Sequence, residues 1–163
     1  MHICFVCSGN ICRSPMAALI CADHLRRAGL ADRVRVSSAG IGPWHVGEPI
    51  DPRAGKLLAD HGYPTGHVAA QVNDEHLAAD LLVAMDTGHA RALVRLLDEA
   101  GTGGADRVRM LRSFEPNPDR LGDVDHGDWD VPDPYYDGRA GFVAVFDMIE
   151  AAMPGLLDWV RQR

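Results

Sequence analysis

No cysteine follows Cys21 in this 163-residue chain. Cys4, Cys7, Cys12 and Cys21 all fall within the first 21 residues. A secreted disulfide scaffold spreads its cysteines along the chain, so reduced thiols in the cytoplasm are the expectation. The opening MHICFVC lacks a basic, then apolar, leader. That excludes a conventional secretory signal and leaves only an unconventional export route open. No apolar run approaches the roughly 20 residues that span a bilayer, and there is neither a low-complexity tract nor a repeat of solenoid period. Positive charge is short: 16 Lys and Arg stand against 23 Asp and Glu, a net charge of -7, and the pI is ≈ 5.5. This balance argues against nucleic acid or an anionic membrane as partner. It also means that a site for a phosphate dianion has to be made positive locally. No His/Asp cluster has metal-ligand spacing, so no metal or other cofactor is expected.

What is present suits one domain, residues 1–163, with 47% hydrophobic residues to build a core. His2–Val6 (HICFV) reads as a short buried strand, and SGN after it is turn chemistry. Ser14-Pro15 reads as an N-cap followed by proline at the first helical position, opening a helix that Gly29 ends. Val34–Ala39 is a second strand, completing a βαβ unit. Asp51–His61 is helical and stops at Gly62. Asp80–Met85 is a strand, Thr87–Ala100 a helix closed by Gly101, and Val108–Leu111 a fourth strand. Ser113–Gly141, rich in Asp, Pro and Gly, reads as a long loop. A helix over Gly141–Gln162 follows, with Pro154 as a kink or restart. Alternating strands and helices predict an α/β fold: a four-stranded parallel sheet flanked by helices on both faces. Ligands of such sheets bind beyond the carboxyl ends of the strands, which is where the loop after the first strand lies.

That loop, Cys7-Ser8-Gly9-Asn10-Ile11-Cys12-Arg13-Ser14, carries the chemistry. Five residues separate Cys7 from Arg13, between a strand and a helix start. Gly9 and Asn10 are the residue types that tolerate positive φ. Turns of that kind direct successive N–H groups inward as an anion nest, and a helix start adds its positive dipole end. Arg13 offers a planar fork matched to phosphate oxygens. The same field acts on Cys7, because a thiol near pKa 8.5 can fall to roughly 3.5–7.5 at a helix N-terminus or beside a cation. A thiolate is a nucleophile. The Ser14 hydroxyl is placed to donate to the sulfur when phosphate leaves. One loop thus binds a dianion, activates the nucleophile and stabilises transition-state charge.

Blander readings compete. A strand-end cysteine is often a small buried hydrophobe. Cys4 and Cys7 form a C-x-x-C, but Cys4 lies inside the strand pattern, whereas redox pairs sit at helix starts and zinc wants a second ligand pair. Cys21 reads as core. For Cys12 two readings stand: packing, or a reversible disulfide with Cys7 that shields the nucleophile from over-oxidation.

Expelling a phenolate needs a proton donor. Asp133, in Asp133-Pro134-Tyr135-Tyr136, is the leading candidate, since Pro134 stiffens the backbone and the two tyrosines can wall an aromatic slot. Asp-Pro is an ordinary turn dipeptide, however, and Asp123, Asp125, Asp128 and Asp130 compete for the role.

Taken together, VCSGNICRSPMA and the downstream VPDPYY resemble the low-molecular-weight protein tyrosine phosphatases. SSAG at residues 37–40, Trp44, GHVAAQV at 66–72 and AMD at 84–86 extend the resemblance over essentially the whole chain. It implies Cys7 as nucleophile, Arg13 as phosphate clamp and Asp133 as general acid and later base. Ser8, Gly9, Asn10, Ile11, Cys12 and Ser14 would bind the phosphate. Asn10, Ser38 and His67 would hold the loop in shape, and Asp86 would be a buried acid of the site region. Ile11, Trp44, Tyr135 and Tyr136 would grip the substrate ring, the two tyrosines being phosphorylated in some relatives. The partners implied are phosphotyrosine-containing proteins, met by a monomer or weak dimer. One stretch departs from the family pattern: Asn117–Val131 looks longer than usual before DPYY, and adds Trp129 and several acids.

Two other functions were open. Arsenate reductase shares this fold and loop, but needs downstream cysteines to relay a disulfide. A phosphotyrosine-binding module without turnover has no need of Cys7 or Asp133.

Overall fold

The computed structural model describes residues 1–116 and 129–163. Four strands, β1 (His2–Cys7), β2 (Arg35–Gly40), β3 (Leu81–Ala84) and β4 (Val108–Met110), form one parallel sheet in the order β2-β1-β3-β4. Among the described residues five α-helices accompany them: α1 (Arg13–Arg27), α2 (Pro52–Asp60), α3 (Asp74–Leu77), α4 (Thr87–Glu99) and α5 (Arg139–Arg161). The expected α/β architecture is the one observed.

The two central strands, β1 and β3, are apolar without alternation because both their faces are covered. On β1, Ile3, Phe5 and Cys7 join the core shared with α1, α2 and α5, while Cys4 and Val6 join the core under α4. Leu81 and Val83 of β3 divide from Leu82 and Ala84 in the same way. The chain runs from β1 outward to β2, then crosses back to β3 on the other side of β1. The carboxyl ends of β1 and β3 therefore flank the topological switch point, and the loops leaving them carry Cys7–Arg13 and Asp86.

Helix ends follow the sequence signals closely. Asp51 caps α2, accepting the Arg53 N–H at 2.8 Å, with Pro52 at the first position. Gly29, Gly62 and Gly101, expected as stops, have φ of 70, 78 and 66°. The structure adds to or corrects the sequence reading in three places. The single-turn α3, capped by Asn73, lies in a stretch to which the sequence assigned no element. α5 begins at Arg139, not Gly141, and runs through Pro154 without a break. Tertiary packing outweighs the cost of proline there, about 3 kcal/mol in a free helix. Third, Leu111–Phe114 forms a 3-10 turn, so the loop starts later than Ser113. By length and composition α5 could cross a membrane. Here it is a core helix, burying Phe142, Val145, Phe146, Ile149, Ala152, Met153, Leu156, Leu157 and Val160. Of the segment Asn117–Val131, residues 117–128 lie outside the described residues.

Candidate active site

β1 ends at Cys7, and the chain then turns through five residues into α1. Asn10 makes this turn. It is fully buried with φ of 60°, and its side-chain amide and its carbonyl are all bonded. Its Nδ2 donates to Ser14 Oγ (2.8 Å) and Ser38 Oγ (2.9 Å). Its Oδ1 accepts from the Ala70 N–H (2.9 Å), and its carbonyl from His67 Nε2 (2.7 Å). The expected supports Ser38 and His67 are thus both in contact with it. Gly9, also expected at positive φ, is not among the left-handed residues. Its missing side chain instead admits His45, whose Cδ2 would lie 2.8 Å from a Cβ there.

Ser14 is not the N-cap. α1 starts two residues earlier than expected, at Arg13 after Cys12, and no side chain caps it. Ser14 instead puts its Oγ 2.9 Å from Cys7 Sγ. Because Asn10 donates to that oxygen, the Ser14 proton is free to point at sulfur.

Arg13 is 3% exposed. Its Nη1 donates to Asp86 Oδ2 (2.9 Å) and to the Val131 carbonyl (3.0 Å). Nη2 lies 3.5 Å from Ser8 Oγ and 3.6 Å from Asp133 Oδ2. Asp86, expected to be buried, is part-exposed and works from the end of β3 as Arg13's anchor and as the N-cap of α4. Asp133 is half-exposed, and its Oδ1 accepts the Tyr135 N–H at 3.1 Å. Of the competing acids, Asp130 accepts both the N–H and the hydroxyl of Thr87 at 2.8 Å, which commits it to the start of α4. Asp123, Asp125 and Asp128 lie outside the described residues.

Cys7, Ser8, Gly9, Ile11, Cys12 and Arg13 line one side of a cleft of ≈ 230 Å³. Trp44, His45, Asp133, Tyr135 and Tyr136 line the other. Trp44 is 69% and Tyr136 93% exposed, so large aromatic faces stand unburied at the mouth. The Tyr135 and Tyr136 rings meet edge-on with centroids 4.9 Å apart.

Residues 2–163 match the family model described as low molecular weight phosphotyrosine protein phosphatase. The chain belongs to this family. It is 57% identical over 163 residues to the low molecular weight protein-tyrosine phosphatase A of Mycobacterium tuberculosis, covering 100% of this chain and 93% of that protein. The crystal structure of YfkJ from Bacillus subtilis superposes with a TM-score of 0.83 at 33% identity, over 99% of this chain and 95% of that one. A Drosophila arginine phosphatase structure superposes with a TM-score of 0.86 at 27% identity, over 98% of each chain.

Two residues of this phosphatase site escaped sequence reasoning. His45 packs against Gly9 and approaches the Tyr135 ring at 6.3 Å between centroids. His89, in the first turn of α4, places Nε2 2.9 Å from Ser8 Oγ. Its Nδ1 is buried without a hydrogen bond, 3.2 Å from Asp86 Oδ1 in a geometry too bent to count as one. Burial drives the His89 pKa down to about 4, against the pull of Asp86, so the ring is neutral at pH 7. Its position three residues after the Asp86 cap was the available signal. Burial likewise lowers His67. It also pushes Cys12 up to about 12, with the Asp51 and Cys7 charges adding to the effect. Cys12 is therefore a neutral thiol beside Cys7, and all four cysteines are free.

Proposed function

We propose that the chain is a protein-tyrosine phosphatase that hydrolyses phosphotyrosine and other aryl phosphates through a cysteinyl-phosphate intermediate. The convergence of Cys7, Ser14, Arg13 and Asp133 on one cleft carries the reading. Arg13, held through Nη1 by Asp86 and Val131, offers Nη2 to the phosphate oxygens. The Cys7 sulfur attacks phosphorus in line with the aryl oxygen. The S–P bond forms as the P–O bond breaks, and Asp133 delivers its proton to the departing phenolate. Asp133 then takes a proton from water, which attacks the phosphoenzyme. As the S–P bond breaks, the Ser14 hydroxyl donates to the leaving sulfur.

Ile11, Trp44, Tyr135 and Tyr136 give the substrate an apolar, aromatic slot, which suits a phenyl ring. The substrates are phosphoproteins, met by a monomer or weak dimer in the reducing cytoplasm, with no nucleic acid, membrane or cofactor taking part. The four free thiols and the net charge of -7 support that setting. The test is hydrolysis of phosphotyrosine and of phosphoarginine by wild type and Cys7→Ser, in excess EDTA. The expected result is turnover of phosphotyrosine by wild type alone. Preference for phosphoarginine, or activity lost to EDTA and restored by Zn²⁺, overturns the reading.

A further inference from the structure

The Asp133 carboxylate is half-exposed, yet general-acid catalysis demands that it stand at a defined place over the phosphate loop. A continuous path of bonds provides that placement, and Arg53 is its centre. At one end, the Asp51 N–H donates to the Ile11 carbonyl of the phosphate loop at 2.8 Å. The Asp51 carboxylate is then gripped as a fork by Arg53, with Nε on Oδ1 at 3.0 Å and Nη2 on Oδ2 at 2.9 Å. The remaining nitrogen, Nη1, donates to the Tyr135 carbonyl at 2.9 Å and reaches the Asp137 carbonyl at 3.5 Å. At the far end the Tyr135 N–H donates to Asp133 Oδ1. The guanidinium also lies over the Phe142 ring at 4.6 Å and the Tyr135 ring at 5.5 Å, which pins its plane.

We propose that Arg53 is a positioning residue for the general acid, a strut that sets the Asp133–Tyr135 loop at the correct distance from the phosphate loop. Two features make arginine necessary there. Only a planar fork can hold a carboxylate with two nitrogens while a third donates to a carbonyl on the opposite side; a lysine ammonium is a single point. The strut also starts at the N-terminus of α2, where the Asp51 cap makes its base rigid. Arg53 touches neither substrate nor nucleophile, so its loss weakens proton delivery and leaves phosphate binding and sulfur attack in place.

This inference rests on the reading of Asp133 as general acid, and the experiment separates the two. The measurement is kcat/KM for phosphotyrosine, a poor leaving group, and for 2,4-dinitrophenyl phosphate, a good one. The variants are Arg53→Gln, Arg53→Lys, Asp133→Asn and the double variant Arg53→Gln/Asp133→Asn. Circular dichroism and thermal melts confirm that each is folded. Arg53→Gln is expected to lose about tenfold on phosphotyrosine and less than about twofold on the activated ester, a part of the ~10² to 10⁴ that positioned proton transfer contributes. Arg53→Lys should fall close to Gln, and the double variant should be no worse than Asp133→Asn alone. In a fifth variant, Arg53→Ala, also checked for folding, free guanidinium should restore part of the phosphotyrosine rate, and it should restore none to Asp133→Asn. If Asp133→Asn shows the leaving-group selectivity while Arg53→Gln loses equally on both substrates, loses nothing, or adds its loss to that of Asp133→Asn, the strut is overturned and the general acid stands. If Asp133→Asn itself is unselective, the general-acid reading falls and the strut falls with it.

Discussion

Cys7 and Cys12 sit in the same tight loop in different surroundings. Cys7 faces the Ser14 hydroxyl, whereas burial holds Cys12 as a thiol up to about pH 12. Peroxide should therefore strike Cys7 first, giving a sulfenic acid. The Cys12 thiol can then attack that sulfur, expelling water and closing a disulfide. Thiol should restore most activity to peroxide-treated wild type and little to Cys12→Ser, whose sulfenic acid goes on to irreversible states. Equal recovery in the two proteins leaves Cys12 a packing residue. Beneath the cleft, Asn10 spends four polar contacts on the shape of the loop.

At the level of elements, the phosphate loop is shaped by the strand beside it as much as by its own sequence. Gly40 ends β2 directly against the turn. A Cβ there would stand 2.8 Å from the Ser8 carbonyl oxygen and 3.1 Å from the Gly9 carbonyl carbon, both backbone atoms of the loop. Backbone cannot swing aside as a side chain can, so the loop must shift. Gly40→Ala should lower kcat/KM at least about tenfold, since misplacement near 1 Å can cost ~10²-fold, while stability changes by no more than the ~1–3 kcal/mol of overpacking. Steady-state kinetics beside a urea titration measures both, and wild-type kinetics in Gly40→Ala sinks the idea. The strand β2, helix α2 and the α4 N-terminus thus all fix the loop: Gly40 behind it, Asp51 on Ile11, and Asp86 on Arg13.

The molecule as a whole is acidic yet keeps several histidines uncharged. Burial is the largest cause lowering the pKa of His2, His67, His76 and His89, the last to about 4. In the unfolded chain each titrates near 6.5. Between about pH 6.5 and pH 4 the unfolded chain takes up protons that the folded chain refuses, so this contribution to stability is whole above pH 6.5 and is lost as pH falls. The urea midpoint should drop from pH 7 to pH 5, and less steeply in His89→Asn, which keeps a polar side chain near Ser8 without an ionisable ring. An identical slope in the two proteins contradicts a neutral buried His89.

The sequence by itself determined the sheet, the phosphate loop and the family. Continuous apolar strands, glycine helix stops and the Cys7–Arg13 spacing are local signals, and each reflects backbone chemistry that needs no distant partner. It also pointed to Asp133 over its neighbours, though only through resemblance to VPDPYY. What the tertiary structure alone decided are the contacts between segments far apart in the chain. Arg53 bonding to Tyr135, His89 meeting Ser8, Asp86 anchoring Arg13 and Gly40 backing the loop join residues 31 to 82 positions apart, and no local pattern names the partner across such a distance. Ser14 shows both halves. Its reach towards the Cys7 sulfur was legible in the sequence, but the helix-cap reading of Ser-Pro failed and the Asn10 amide that holds its oxygen came from packing, because a buried polar group goes to the partners within reach.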